Sequence, residues 1–188
     1  MGYPSFAVGD VLTANDMNAV GLWRITSGIT ATNGTVSSGV VTANNTITSL
    51  TVSGCFSSSY KNYRIIVSGG SASTGGDMTF QLSGSTGSTY STGGVFTTYG
   101  STTVTGYGPA ATTTWRVGYY GVANTAVIID VFEPQLARAT RMVATSSSGF
   151  YYSHTGQDTS TAQSTGFVLG ISAGTFSAQE VRVYGYRD

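Results

Sequence analysis

After Trp23 the apolar residues of this chain fall in short runs that alternate with a period of two. In Asn62–Ser68, Tyr63, Ile65 and Val67 share one face; in Asp77–Ser83, Met78, Phe80 and Leu82 alternate with Thr79 and Gln81. That period is the side-chain repeat of a strand, whereas a helix repeats every 3.6 residues. Thr113–Tyr120 reads as a strand with Trp115, Val117 and Tyr119 on one face and Arg116 and Tyr120 on the other. Ala126–Phe132 is apolar on both faces except at Asp130. Thr46–Val52, Thr140–Thr145, Phe150–His154, Gly166–Ser172 and Glu180–Tyr186 complete the set, with an edge strand within Gly34–Thr42. About nine or ten short strands, bounded by Gly and Ser clusters with no crossover helix between them, predict an all-β fold. The expected architecture is an antiparallel β-sandwich, jelly-roll-like. No fixed-period repeat points to a solenoid or propeller.

One helix signature precedes the strands. Thr13 is placed as an N-cap, Leu12 and Met17 have the spacing of a hydrophobic staple, Val20 extends the stripe and Gly21 can end it. Two turns fall well short of the ~12–15 residues an isolated helix needs, so this one must dock on its own head domain, sister subunits or another protein. The chain therefore divides into an attachment segment with a short helix, 1–33, and a β-sandwich head, 34–188.

Composition narrows the function. Charged residues make up 9% of the 188, hydrophobic ones 40% and aromatic ones 12%, with a net charge of zero. Disorder goes with low hydrophobicity and high net charge, so the chain folds, with a neutral, hydroxyl-rich surface. Scattered Arg and Lys at zero net charge give no footprint for nucleic acid. No apolar run approaches the ~18 residues of a membrane span, and no signal peptide is read at the start. Cys55 is the only cysteine and reads as a small buried hydrophobe.

Catalytic patterns are missing. His154 is the only histidine, and a triad with Ser153 and Asp158 would rest on sequence proximity alone, without a Gly-x-Ser-x-Gly elbow. One His and one Cys make no zinc site, and the scattered carboxylates form neither a calcium loop nor a glycosidase pair. No Walker or dinucleotide fingerprint occurs. The expectation is a non-enzyme with no catalytic residue, cofactor or metal.

Three phrases carry a family resemblance: Phe6-Ala-Val-Gly-Asp-Val-Leu-Thr-Ala-Asn-Asp-Met-Asn18, Tyr60-Lys-Asn-Tyr-Arg-Ile-Ile-Val-Ser68 and Glu180-Val-Arg-Val-Tyr-Gly-Tyr-Arg187. The first resembles the leader of many tailed-bacteriophage virion proteins, especially tail-fibre and related appendage proteins, and the others resemble strands of their heads. The resemblance implies a homotrimeric virion structural protein and transfers no functional residue; with no signal peptide or membrane span read, assembly is expected in the host cytoplasm. On this reading Leu12, Met17, Val20 and Trp23 attach the chain to tail or baseplate proteins while a trimeric head reaches the host surface. A capsid decoration or cement protein is the alternative, and a stand-alone carbohydrate-binding module is a third reading.

Two features suggest what the head touches. Ala126–Phe132 has more apolar surface than one sandwich face can bury, and Trp115, Tyr119, Tyr120, Tyr184 and Tyr186 add aromatic area, as expected at a subunit interface. Gly84–Thr112 reads as one long loop, beyond the usual ~12–15 residues, carrying Tyr90, Phe96, Tyr99 and Tyr107 among Gly, Ser and Thr. That composition suits adaptable recognition, and the loop's lack of charge suits a neutral host-surface glycan. The same tyrosines also fit a hairpin packed at an interface.

Overall fold

The computed structural model describes residues 21–186, and the expected helix with Leu12, Met17 and Val20 lies outside them. The described chain is all strand and turn. Its strands are β1 (Leu22–Arg24), β2 (Thr30–Thr32), β3 (Gly34–Ser37), β4 (Val40–Ala43), β5 (Ser49–Ser53), β6 (Asn62–Gly69), β7 (Ser71–Ala72), β8 (Gly76–Leu82) and β9 (Tyr90–Thr98). There follow β10 (Thr105–Tyr107), β11 (Trp115–Tyr120), β12 (Thr125–Phe132), β13 (Thr140–Ser147), β14 (Phe150–Asp158), β15 (Phe167–Ile171), β16 (Phe176–Ser177) and β17 (Glu180–Tyr186).

They pair antiparallel into two large sheets and a small ribbon, β16-β7. The wide sheet runs β10-β9-β14-β13-β12-β6-β17-β4-β3, with β1 also on β17; the narrow sheet runs β11-β8-β15-β5-β2. Alternation decides what lies between them. Tyr63, Ile65, Val67, Val127, Ile129, Val131, Val181 and Val183 of the wide sheet are buried, as are Leu50, Val52, Met78, Phe80, Leu82, Phe167 and Leu169 of the narrow one. Their chain neighbours face outward, which is the period of two expressed as an inside and an outside. At the centre Phe80 stacks on Phe167 (4.8 Å) and on Trp115 (5.9 Å). Phe56 continues the packing from Phe167 (5.8 Å) to Tyr63 (4.6 Å). Each such side chain contributes roughly 1.5–3 kcal/mol by leaving water.

Four expectations are corrected. The edge strand within Gly34–Thr42 is a hairpin, β3–β4, turned by Ser38 and Gly39 with φ of 48° and 74°, the two positive angles that a tight hairpin turn demands. Residues 22–32, assigned to the attachment segment 1–33, belong to the sandwich: β1 pairs with β17 and β2 with β5. That stretch is too polar to pack alone, but the sheet edges satisfy its backbone groups. In β11 the register slips between Arg116 and Gly118. The resulting bulge adds one residue and inverts the alternation beyond it, so Tyr120 points inward beside Trp115 and Val117 while Tyr119 joins Arg116 outside. Trp115 and Tyr120 are thus core residues of one chain rather than interface area. Lastly, the long loop Gly84–Thr112 is largely the hairpin β9–β10, which extends the wide sheet through β14. Two adjacent glycines, Gly93 and Gly94, concealed the strand.

Replacing Phe80 with Ala removes the ring shared by both stacks and leaves a cavity between the sheets. We expect a loss of about 3–5 kcal/mol of unfolding free energy, read from urea titration with an unchanged m-value.

Candidate functional site

The wide sheet outreaches the narrow one, whose edge strand β11 packs across β12, β13, β14 and β9. Arg116 fills the angle so formed. Its guanidinium carbon lies 4.6 Å from the Tyr107 ring centre, 4.8 Å from Tyr152 and 5.2 Å from Phe96. Nη2 donates to the Tyr152 hydroxyl (2.8 Å) and pairs with Asp77 at 2.5 Å. Burial outweighs that pairing at Asp77 and holds its carboxyl above the ordinary range. Phe96 stacks on Tyr152 (5.3 Å) and Tyr107 on His154 (5.6 Å). The latter pair closes over Gly94, which lies between them in register; a Cβ there would collide with the His154 ring. His154 is fully buried, and its Nδ1–H donates to the Arg116 carbonyl (3.0 Å) while Nε2 has no partner. Burial, and then the Arg116 charge, lowers its pKa, so the ring is neutral.

The four residues expected to touch a receptor therefore divide. Tyr90 is fully buried: its hydroxyl accepts from the Leu82 amide (3.0 Å) and donates to the Ser85 carbonyl (3.2 Å), and burial pushes its pKa to about 12. Phe96 and Tyr107 are taken up by Arg116, Tyr152 and His154. Tyr99 alone stands out, 56% exposed, with its hydroxyl bonded to Ser147. Trp23, expected in virion attachment, is a half-buried residue of β1 opposite Gly185. Leu22 pairs with Tyr186, whereas the β9–β10 turn follows Thr98 opposite Phe150, at the other end of the strands.

A concave site lies on the outer face of the wide sheet. It is a groove of about 650 Å³ whose lining includes Ser91, Gly93, Phe132, Arg141, Thr155 and Gln157. Register builds it: Phe132 lies opposite Arg141, Arg141 opposite Gln157 and Gln157 opposite Ser91, forming one cross-strand row. Val143, Thr155 and Gly93 form the next. The segment 108–110 makes the wall. The Pro109 carbonyl accepts from the Thr92 amide (3.0 Å), and Thr112 exchanges both backbone bonds with Tyr90 (3.0 and 3.1 Å). Three residues on this side therefore span two on β9, and the surplus arches outward through Ala111 at φ 54°. Gly93 is the floor. A Cβ there would meet nothing within 4 Å, so packing does not require a glycine, in contrast to Gly94. Glycine inside a strand often marks a bulge, a tight bend, or close approach of a ligand or another backbone, and Gly93 is exposed with no backbone against it.

Sequence reading missed Phe132, Arg141, Gln157 and Gly93 as a set because they come from β12, β13, β14 and β9. The signal present was the Gly93-Gly94 pair within an alternating run. Among the described residues no three His, Cys, Asp or Glu side chains gather to hold a metal, and no helix is long and apolar enough to cross a membrane. Cys55 is buried, and burial pushes its thiol pKa upward, which fits a packing residue.

No family model matches this chain, and no curated protein does. Among solved structures it is similar to a seed lectin of Lotus tetragonolobus at 6% identity, covering 88% of this chain and 96% of that one, with a TM-score of 0.34. It is also similar to arcelin-5, a lectin-like defense protein from Phaseolus vulgaris, at 6% identity over the same shares, with a TM-score of 0.21. At these scores the likeness bears on neither fold nor ligand.

His154 gives a pH signature. Its folded pKa lies below the ordinary 6.5, so between those values the unfolded chain binds a proton that the native ring refuses. Its contribution to stability is complete above pH 6.5 and is lost as pH falls toward the folded value, at up to about 1.4 kcal/mol per pH unit. Thermal melts from pH 7.5 to 5.5 should show this decline, and His154→Gln should flatten it, since no second histidine titrates there.

Proposed function

We propose that this chain is a carbohydrate-binding head of a tailed-phage virion appendage, with the groove beside Gly93 as its contact with the host surface. The observation that carries the reading is that groove. It combines an exposed aromatic ring at Phe132, planar polar groups at Arg141 and Gln157, hydroxyls at Ser91 and Thr155, and an open glycine floor. Sugars present apolar ring faces and directional hydroxyls, and few well-placed polar groups in a concave site suffice to orient them. The virion setting is supported by the leader phrase Phe6–Asn18 and is proposed on that ground alone. A short N-terminal helix docked on tail or baseplate proteins, through Leu12, Met17 and Val20, belongs to the same proposal. So does the jelly-roll-like description, which the chain's repeated passage between sheets supports.

A homotrimer is supported by the outer face at the far end of the same strands. There Ile66, Ala126, Ile128 and Tyr151 line an apolar depression of about 340 Å³, with Ile128 40% and Tyr151 45% exposed. Apolar surface of this kind marks contact sites when it is contiguous. Light scattering at micromolar concentration should give three times the chain mass, and Ile128→Asp should shift it to the monomer.

Gly93→Val tests the binding site itself. Valine suits a strand better than glycine and meets nothing there, so the melting temperature should stay or rise. Retention on an array of host-surface glycans, and adsorption of particles to cells, should fall at least tenfold as the side chain fills the floor. Tyr107→Ala should instead lower the melting temperature, because that ring packs on Arg116 and His154. Undiminished glycan retention by Gly93→Val would overturn the assignment. Antibody labelling of intact particles separates a tail location from the decoration of a capsid.

A further inference from the structure

Among the described residues Arg141 is the only charged one that lines the groove, and its surroundings define the sugar. Among the described residues it makes no ion pair, whereas Arg64 is held by Asp130, Arg116 by Asp77, Arg138 by Glu133 and Arg182 by Glu180. The nearby carboxylates are thus engaged elsewhere: Asp130 binds Arg64 through both oxygens (2.8 and 2.7 Å) and accepts from the Tyr186 hydroxyl (2.9 Å). Among the described residues the lining holds no Asp or Glu. The groove therefore carries a net positive charge on a protein whose net charge is zero.

We infer that the groove takes an acidic sugar, with the Arg141 guanidinium receiving the carboxylate of a uronic-acid-type residue. This rests on the carbohydrate-binding reading above and corrects the neutral ligand expected from the uncharged segment Gly84–Thr112, because the cation comes from β13, outside that segment. Geometry favours a carboxylate over a hydroxyl at this place. A guanidinium presents parallel N–H donors that match the two oxygens of a carboxylate, and a charge-assisted pair is about twice as strong as a neutral hydrogen bond. Phe132 lies directly across the ladder from Arg141, ~4.8 Å away by strand spacing. A ring stacked on Phe132 thus brings its own substituent to the guanidinium. Gln157 and Ser91 continue the row and can receive the hydroxyls of the same or the next sugar. No bond is made or broken, and the sugar leaves as it came.

The test is titration calorimetry of the full-length protein with neutral hexose tetrasaccharides, α- and β-linked, each paired with its C6-oxidised counterpart. The expected result is that an oxidised member binds at least tenfold more tightly than its neutral partner at 50 mM salt. That preference should shrink at 500 mM salt, as a charge contact requires. Arg141→Gln should abolish the preference without moving the melting temperature, since the side chain is exposed, and Arg141→Lys should keep part of it. Phe132→Ala should weaken both members of a pair alike. Equal binding of both members, reduced alike by Phe132→Ala, overturns the acidic-sugar inference while leaving the carbohydrate reading intact. Binding of neither member, in any pair, overturns both.

Discussion

The fold turns on the place where Arg116 meets the rings of Phe96, Tyr107 and Tyr152. Nine strands follow one another across the wide sheet and five across the narrow one. Its surplus width carries β10, and the parts of β14 and β9 beyond edge strand β11, past the narrow sheet. Something must cover the apolar surface there, and the bulge in β11 supplies it by turning Tyr119 to the same side as Arg116. Each cation–π contact contributes on the order of 0.5–2 kcal/mol once desolvated. The Arg116 side chain is 12% exposed, and its guanidinium makes three such contacts besides the Asp77 pair. A leucine at this position would match the rings but strand Asp77 and the Tyr152 hydroxyl in a half-buried corner.

Everything outward of that corner depends on it. The hairpin β9–β10 is paired on one side only, to β14, and its outermost strand is three residues long. A two-stranded extension of this kind is marginal without packing on one face. The knot around Arg116 provides that packing from inside, and only then can Gly93 and the Pro109 wall hold their places on the outer face. The inner face of β9 is spent on structure, at Tyr90, Thr92, Gly94 and Phe96, and the outer face is what remains for contact. This division explains why aromatic residues in a Ser/Gly/Tyr-rich segment were poor guides to a ligand site. Composition suits recognition and packing equally, and only the face each residue occupies separates them.

The same distinction shows what could be read from the chain unaided. Strands with a buried and an exposed face announce themselves by alternation, as β6 does, and β12 by a short apolar run rich in β-branched residues; these and β17 appear almost residue for residue. Where alternation is locally broken, reading fails for a definite reason. The extra residue at Val117 reversed the faces of Tyr119 and Tyr120, and no local signal distinguishes a bulge from its absence. Gly93-Gly94 suggested a loop because glycine weakens a strand; one of the two is a steric need set by His154, sixty residues later. The groove was less legible still. Its members stand in register only after β12, β13, β14 and β9 have been ordered, which is a property of topology rather than of any segment. The register of β1 and β2 likewise depends on edges supplied by β17 and β5.

A surface with so few charges has other consequences. Sheet edges are commonly protected by lysine or other charges, but here Lys61 is the only lysine. The edge at β10 is blunted by brevity and by Pro109, which has no amide hydrogen to offer, and the edge at β3 by a strand of four residues. These devices protect edges but not faces. The apolar outer surface around Ile66, Ile128 and Tyr151 has a charged border on one side, the Arg182–Glu180 pair opposite Ile66 and Ser68, and a second chain would cover the rest. Such an association need not close the groove. Ile128 and Phe132 lie four residues apart on β12, roughly 13 Å at strand rise, with the apolar depression at one and the groove at the other. A trimer formed through the first would hold three grooves at fixed spacing. Three weak contacts on one rigid body would then act together, with an avidity that a single shallow site could not reach alone.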